Sequence, residues 1–204
     1  MEINSEYLGD SAEFFITSEL LLRGFMAQPT FGNKKKMDLI VRYVQDDAEK
    51  FKIIEVKSTL KKRKYAMIKG IPINSTYNII FVDYFDKPIS EKPDIYILNH
   101  IDWYELMKKL IVDEVEKCKI STRERKTFRF KWIQEHQNCK VEKSEDREKI
   151  DYFVKDSESN ESLHLASIRR TEGYVEWKNP EFSGIDVPID AIRVYKDSWD
   201  KIKE

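Results

Sequence analysis

Three side chains in the first third of the protein have the types and spacing for cation-assisted chemistry. Asp38 stands at the head of one apolar run, Leu39-Ile40-Val41, and Glu55-Val56-Lys57 ends the next, after Ile53-Ile54. Side chains alternate along a strand, so Glu55 and Lys57 share a face and Val56 points to the other. The seventeen-residue separation of Asp38 and Glu55 suits two paired strands and a turn, which would set the two carboxylates side by side. Like charges in a poorly hydrated cleft repel, and one of them protonates unless something offsets the pair. A hard divalent cation, Mg2+ or Mn2+, offsets it, held by both carboxylates, the backbone carbonyl of Val56, water and a phosphate oxygen. Such an ion lowers the pKa of a bound water and neutralises charge growing on a phosphate. Lys57 is placed to orient or deprotonate that water and to stabilise the transition state.

These residues need a hairpin to present them, and the pattern supplies one. Met37–Val44 and Phe51–Ser58 read as strands, and Gln45–Lys50 as the polar turn between them. Upstream, residues 10–24 read as an amphipathic helix. Asp10 or Ser11 is its cap, Phe14, Phe15, Ser18, Leu21 and Leu22 its apolar face, and Gly24 its stop. A loop is expected over Pro29–Asn33 and a short, very basic helix over Lys61–Lys69. Further strands are expected at Thr76–Tyr84 and Ile95–Leu98, and a helix at Ile101–Lys117. That order predicts a mixed sheet flanked by helices, an α/β or α+β core.

Beyond Cys118 the character changes. Residues 119–149 are mostly charged, with one apolar patch at Phe128, Phe130, Trp132 and Ile133. Strands are expected at Asp151–Val154, Leu163–Ile168 and Tyr174–Trp177, and one at Ile189–Tyr195 leading into a short final helix. Two regions follow: a core over residues 1–118, and a subdomain or elaboration over 119–204 for target recognition or a dimer contact.

Asp38-Leu39-Ile40-Val41 followed by Ile53-Ile54-Glu55-Val56-Lys57 resembles the PD-(D/E)XK nuclease superfamily, which includes Holliday-junction resolvases and many restriction endonucleases. Gly9 to Phe15 and Leu20 to Phe25 resemble the first helix of that superfamily, and the likeness extends over roughly residues 9 to 105. It implies a restriction-endonuclease-like central mixed sheet with flanking helices, and metal-dependent hydrolysis of a DNA phosphodiester. It also implies that Glu13, at the position of the family's helix glutamate, joins the metal site, through a water in this reading. Met37 replaces the name-giving proline. No glutamine follows Lys57 in the basic segment, a departure from the resolvase-like members.

Composition allows this and excludes other classes. The protein has 204 residues, with 41% hydrophobic and 12% aromatic residues, enough for a packed core and too aromatic for disorder. No run approaches the ~18 apolar residues of a membrane span. The first residues lack a signal-peptide pattern, and two cysteines make no disulfide framework, so a soluble, reducing, cytoplasmic setting is expected. Net charge is −1, but from Lys50 to Lys69 Glu55 is the only acid among eight cations. Lys35 and Lys36, with Lys61, Lys62, Arg63 and Lys64, are the candidate DNA-phosphate contacts; the rival reading is a solvated loop. Cys118, His136, Cys139 and His164 contain only one tight pair, unlike structural zinc. No Gly-x-Gly-x-x-Gly or phosphate-cradling lysine loop occurs, so no nucleotide cofactor is expected.

The leading expectation is therefore a metal-dependent DNA endonuclease, dimeric where both strands are cut because two-fold DNA symmetry matches two-fold protein symmetry. A catalytically inactive nucleic-acid-binding or protein-interaction module on the same fold is the alternative. An RNase or toxin-like effector is a third reading.

Overall fold

The computed structural model describes residues 4–30, 37–60, 64–66, 75–88, 90–120, 128–169, 174–177 and 186–204, with the backbone alone for 64–66, 128–130, 169 and 174–177. The fold is α+β, and contacts divide the protein into two compact units. The first comprises Met1–Tyr65, Asn74–Trp103 and Val187–Glu204; the second comprises Ala66–Ile73 and Tyr104–Asp186.

The first unit is built on a five-stranded mixed sheet of β1 (Met26–Pro29), β2 (Leu39–Gln45), β3 (Ala48–Thr59), β5 (Tyr77–Asp83) and β6 (Asp94–Leu98), in the order β1-β2-β3-β5-β6. Strand β4 (Lys64–Ala66) lies outside this sheet. The pairs β1–β2, β2–β3 and β5–β6 are antiparallel, and β3–β5 is parallel. The expected hairpin is present, with Gln45 paired to Ala48. Its two-residue turn holds Asp46 at φ 53° and Asp47 at φ 58°, the double left-handed geometry that matches strand twist and that Asp tolerates.

Helix α1 (Ser5–Leu22) begins earlier than the pattern predicts, at an Asn4 cap whose side chain accepts the Glu6 N–H. It ends as predicted. Gly24 takes φ 82°, its N–H donates to Leu21 C=O, and the Phe25 N–H donates to Leu20 C=O. The buried face differs from the expected one. Ala12, Ile16 and Leu20, spaced i, i+4, i+8, pack with Leu39, Val41, Ile54, Val56, Ile80, Val82, Ile95 and Ile97. Phe14, Leu21 and Leu22 are exposed, and Phe15 is half-buried. Both sides of α1 carry apolar residues, so periodicity alone does not choose between them. Glu19 on the same helix is buried, with ion pairs to Arg23 at 2.7 Å and Lys92 at 3.0 Å.

The opposite sheet face presents Tyr77, Ile79, Phe81, Tyr96 and Leu98. Phe81 meets Trp103 in the first turn of α2 (His100–Lys119), with ring centroids 6.0 Å apart.

Three further expectations are corrected. Met26–Pro29 forms edge strand β1, where no strand was expected; Pro29 is tolerated there because an edge position demands no ladder donor. Within the expected basic helix over Lys61–Lys69, Lys64–Ala66 is extended as strand β4, and the other residues lie outside the described ones. Ile189–Tyr195 is not a strand. It forms helix α4 (Ile189–Ile192) and a 3-10 turn (Arg193–Tyr195), because the i, i+3 spacing buries both Ile189 and Ile192 behind the extended cap residue Pro188.

The closing segment is part of the first unit's core. Ile202 is fully buried, and Asn78 Nδ2 donates to Lys201 C=O at 2.9 Å. Asn99 Nδ2 donates to Glu204 Oε2 at 2.8 Å, and the Arg23 guanidinium lies 3.9 Å from the Trp199 ring centroid.

The second unit contains a four-stranded antiparallel sheet, β10 (Tyr174–Trp177), β9 (Ser162–Arg169), β8 (Lys149–Lys155) and β7 (Lys140–Glu145), in the order β10-β9-β8-β7. Strand β7 was not predicted; its residues are mostly exposed and charged, so no alternation betrays it. Helix α3 (Phe128–Glu135) carries the apolar patch seen in the sequence, with Trp132 and Ile133 buried. Cys118 and Cys139 are free and buried. Among the described residues, no helix is long and apolar enough to cross a membrane.

Candidate active site

Asp38 sits one residue before β2, where the antiparallel ladder with β3 begins at the pair Leu39 and Ile54. Its N–H donates to Ile54 C=O at 3.0 Å, and its own C=O accepts the Thr30 N–H at 2.9 Å. Its side chain then does what a further ladder residue would do: Oδ2 accepts the Val56 N–H at 2.7 Å. The Val56 C=O leaves the strand on the same side as its N–H. The Val56 side chain packs in the core beneath α1, so Glu55 and Lys57 emerge from the other face, as alternation requires.

Glu55 is 1% exposed. Its Oε1 is ion-paired with Lys57 Nζ, and its Oε2 accepts the Tyr77 hydroxyl. The Lys57 side chain retains 22% of its exposure, so it links the enclosed carboxylate to the surface. Tyr77 reaches Glu55 because the parallel register sets Ile53 beside Tyr77 and Glu55 beside Ile79, placing the tyrosine one rung away on the same face.

The electrostatics match a crowded acidic spot. Burial is the main cause that raises the Asp38 pKa, and Glu55 adds to it; the Val56 N–H and Lys57 pull the other way. Glu13, on α1, is raised to about 7, first by burial, then by the charges of Asp38 and Asp10, against a smaller opposing effect of Lys57. Burial and the adjoining Glu55 push the Tyr77 phenol far above its ordinary value, in keeping with its hydroxyl donating to Glu55.

The predicted residues thus divide. Asp38, Glu55, Val56 and Lys57 are brought together, and Glu13 lies within electrostatic range of Asp38 and Lys57. Lys35, Lys36, Lys61, Lys62 and Arg63 lie outside the described residues, and Lys64 is described by its backbone alone. Tyr77 is the residue that sequence reasoning missed. A tyrosine in an apolar strand reads as core, and its approach to Glu55 depends on a parallel pairing between segments far apart in sequence.

Among the described residues, no group of three or more His, Cys, Asp or Glu side chains is arranged to hold a metal ion. The donor set still suits Mg2+ or Mn2+. Such ions are commonly held by one or two carboxylates, with waters and substrate phosphate oxygens completing the shell. In such an arrangement the two carboxylates would be Asp38 and Glu55, beside the Val56 carbonyl. A cavity of about 490 Å³ in the first unit lies elsewhere, at the end of β5, lined among others by Asp83, Asp94, Tyr96 and Lys196. Asp94 there is already neutralised by Lys87 and Lys196, each at 2.8 Å.

Comparison with protein-family models, curated proteins and solved structures finds no match to this protein.

Proposed function

We propose that the protein is a metal-dependent DNA endonuclease of the PD-(D/E)XK kind, with its reaction centre in the first unit. The observation that carries this reading is the meeting of Asp38 with the end of β3: its carboxylate on the Val56 N–H, beside the paired Glu55 and Lys57. Asp38 and Glu55 would hold Mg2+ or Mn2+, with the Val56 carbonyl as a further oxygen donor. When bound, the ion supplies charge neutralisation at the scissile phosphate and a water of lowered pKa. Lys57 orients the attacking water, takes part in its deprotonation and stabilises charge on the phosphorus centre. Glu13 acts from α1 through an intervening water. Lys35 and Lys36, with Lys61, Lys62, Arg63 and Lys64, would contact backbone phosphates, which position the duplex without reading its sequence. The setting proposed is cytoplasmic, and a homodimer is the form suited to cutting both strands.

One observation favours the alternative, a non-catalytic nucleic-acid-binding or protein-interaction module. Glu55 is enclosed and both its oxygens already have partners. Incubation with supercoiled plasmid, linear duplex, branched DNA and RNA in Mg2+, Mn2+ or EDTA separates the readings. The nuclease nicks or cuts DNA with either metal and stops in EDTA. DNA binding unaffected by EDTA, with no cleavage of any substrate, replaces the enzyme with the module. Cleavage of RNA alone moves the assignment to a ribonuclease.

A further inference from the structure

We infer that Tyr77 is a positioning residue for this site: its hydroxyl fixes the orientation of the Glu55 carboxylate, so that the oxygen held by Lys57 is the one offered to a cation. The inference rests on the nuclease reading above and adds to it a residue on a different strand.

The terminal torsion of a glutamate is broad, so nothing intrinsic to Glu55 sets the plane of its carboxylate. With the residue 1% exposed, bulk solvent does not set it either. Two protein groups do. Lys57 Nζ engages Oε1, and the Tyr77 hydroxyl engages Oε2. The lysine is partly exposed and long, whereas the Tyr77 ring is 2% exposed and fixed in a strand. Tyr77 is therefore the rigid partner and Lys57 the adjustable one.

Packing alone accounts for an aromatic ring at position 77, since phenylalanine would fill the same space between apolar strands. It does not account for the hydroxyl, which is costly to bury without an acceptor. The acceptor it meets is the least exposed carboxylate of the proposed site. With Oε2 held by Tyr77, Oε1 is the Glu55 oxygen that would be left to offer a cation held with Asp38. Lys57, the adjustable partner, would then be the group available to orient the attacking water. Partners of this kind behind a metal ligand typically contribute 10- to 100-fold to metal affinity.

The test compares full-length wild type and Tyr77→Phe. Mn2+ affinity is read by electron paramagnetic resonance of the free ion, and cleavage is read against Mn2+ concentration. We expect about tenfold weaker Mn2+ binding, and a matching rise in the Mn2+ needed for half-maximal cleavage. A lowered melting temperature with unchanged Mn2+ affinity makes the hydroxyl merely structural and overturns the inference alone. Wild type that binds no Mn2+ overturns the nuclease reading and this inference together. If Tyr77→Phe does not fold in plain buffer, the same Mn2+ titration is made on both proteins in an excluded osmolyte that strengthens burial, and a variant that stays unfolded there makes the hydroxyl structural and overturns the inference.

Discussion

The Asp38 carboxylate accepts the backbone N–H of Val56 at 2.7 Å, closing the mouth of the β2–β3 hairpin with a carboxylate in place of a peptide group. The same carboxylate thus supports the fold and serves the proposed site. Asp38→Asn retains a carbonyl oxygen for Val56 and should unfold in urea close to wild type, while losing cleavage and Mn2+ affinity. Asp38→Leu removes the acceptor and should cost about 1–3 kcal/mol, the range for a buried donor left unpaired. Equal urea midpoints for the two variants would remove the structural half of this assignment.

Lys57 compensates an otherwise enclosed carboxylate. Lys57→Ala should therefore abolish cleavage and also destabilise the protein. The loss should reach about 3 kcal/mol, the lower end for breaking a buried pair, since Lys57 is partly exposed. Adding Glu55→Gln to Lys57→Ala should recover stability and not activity. Thermal melts alongside plasmid nicking check this, and a fully stable Lys57→Ala protein would show that the pair contributes nothing to the fold.

Helix α1 supplies a test of which face holds it. Ile16→Ala, at a fully buried position, should cost about 2–5 kcal/mol. Leu22→Ala, at a position 78% exposed, should change stability by less than about 0.5 kcal/mol. Chemical denaturation of the two variants reads the difference directly, and the reverse order would mean that α1 packs by its other side.

Acid should weaken the second unit through Asp151. Burial alone would raise its pKa. The ion pair with Lys149 at 2.7 Å and the hydrogen bonds with Ser167 and His164 outweigh that and hold it well below the usual carboxylate range. Its register partner on β7, Ser144, is uncharged. A depressed carboxylate contributes stability above its unfolded pKa, about 3.9 for Asp, and loses that contribution as pH falls toward the folded value. Melting temperatures of wild type should therefore drop more steeply below about pH 4 than those of Asp151→Asn. Parallel pH profiles would show that Asp151 carries no such share.

Much of the first unit's sheet is legible in the sequence, for a local reason. Strand β5 and the hairpin of β2 and β3 announce themselves by apolar runs and a polar turn, and the seventeen-residue gap between Asp38 and Glu55 follows from that hairpin. The side on which α1 packs is not legible, because Phe14, Leu21 and Leu22 outweigh Ala12 in any periodicity count although Ala12 is the residue that fits against the sheet. Nor is the closing segment, whose Ile202 and Asn78-bound turn pair with residues more than a hundred positions earlier.

From the order of residues alone came the types of group at the site, their neighbours along each strand and the face that each occupies. These depend on alternation and short turns, which act over a few residues. Tertiary structure alone decided that Tyr77 closes on Glu55 and that Lys57 is its counter-charge on an enclosed carboxylate. The first depends on the parallel register of β3 and β5, the second on the burial that the folded sheet imposes, and neither is encoded in local spacing.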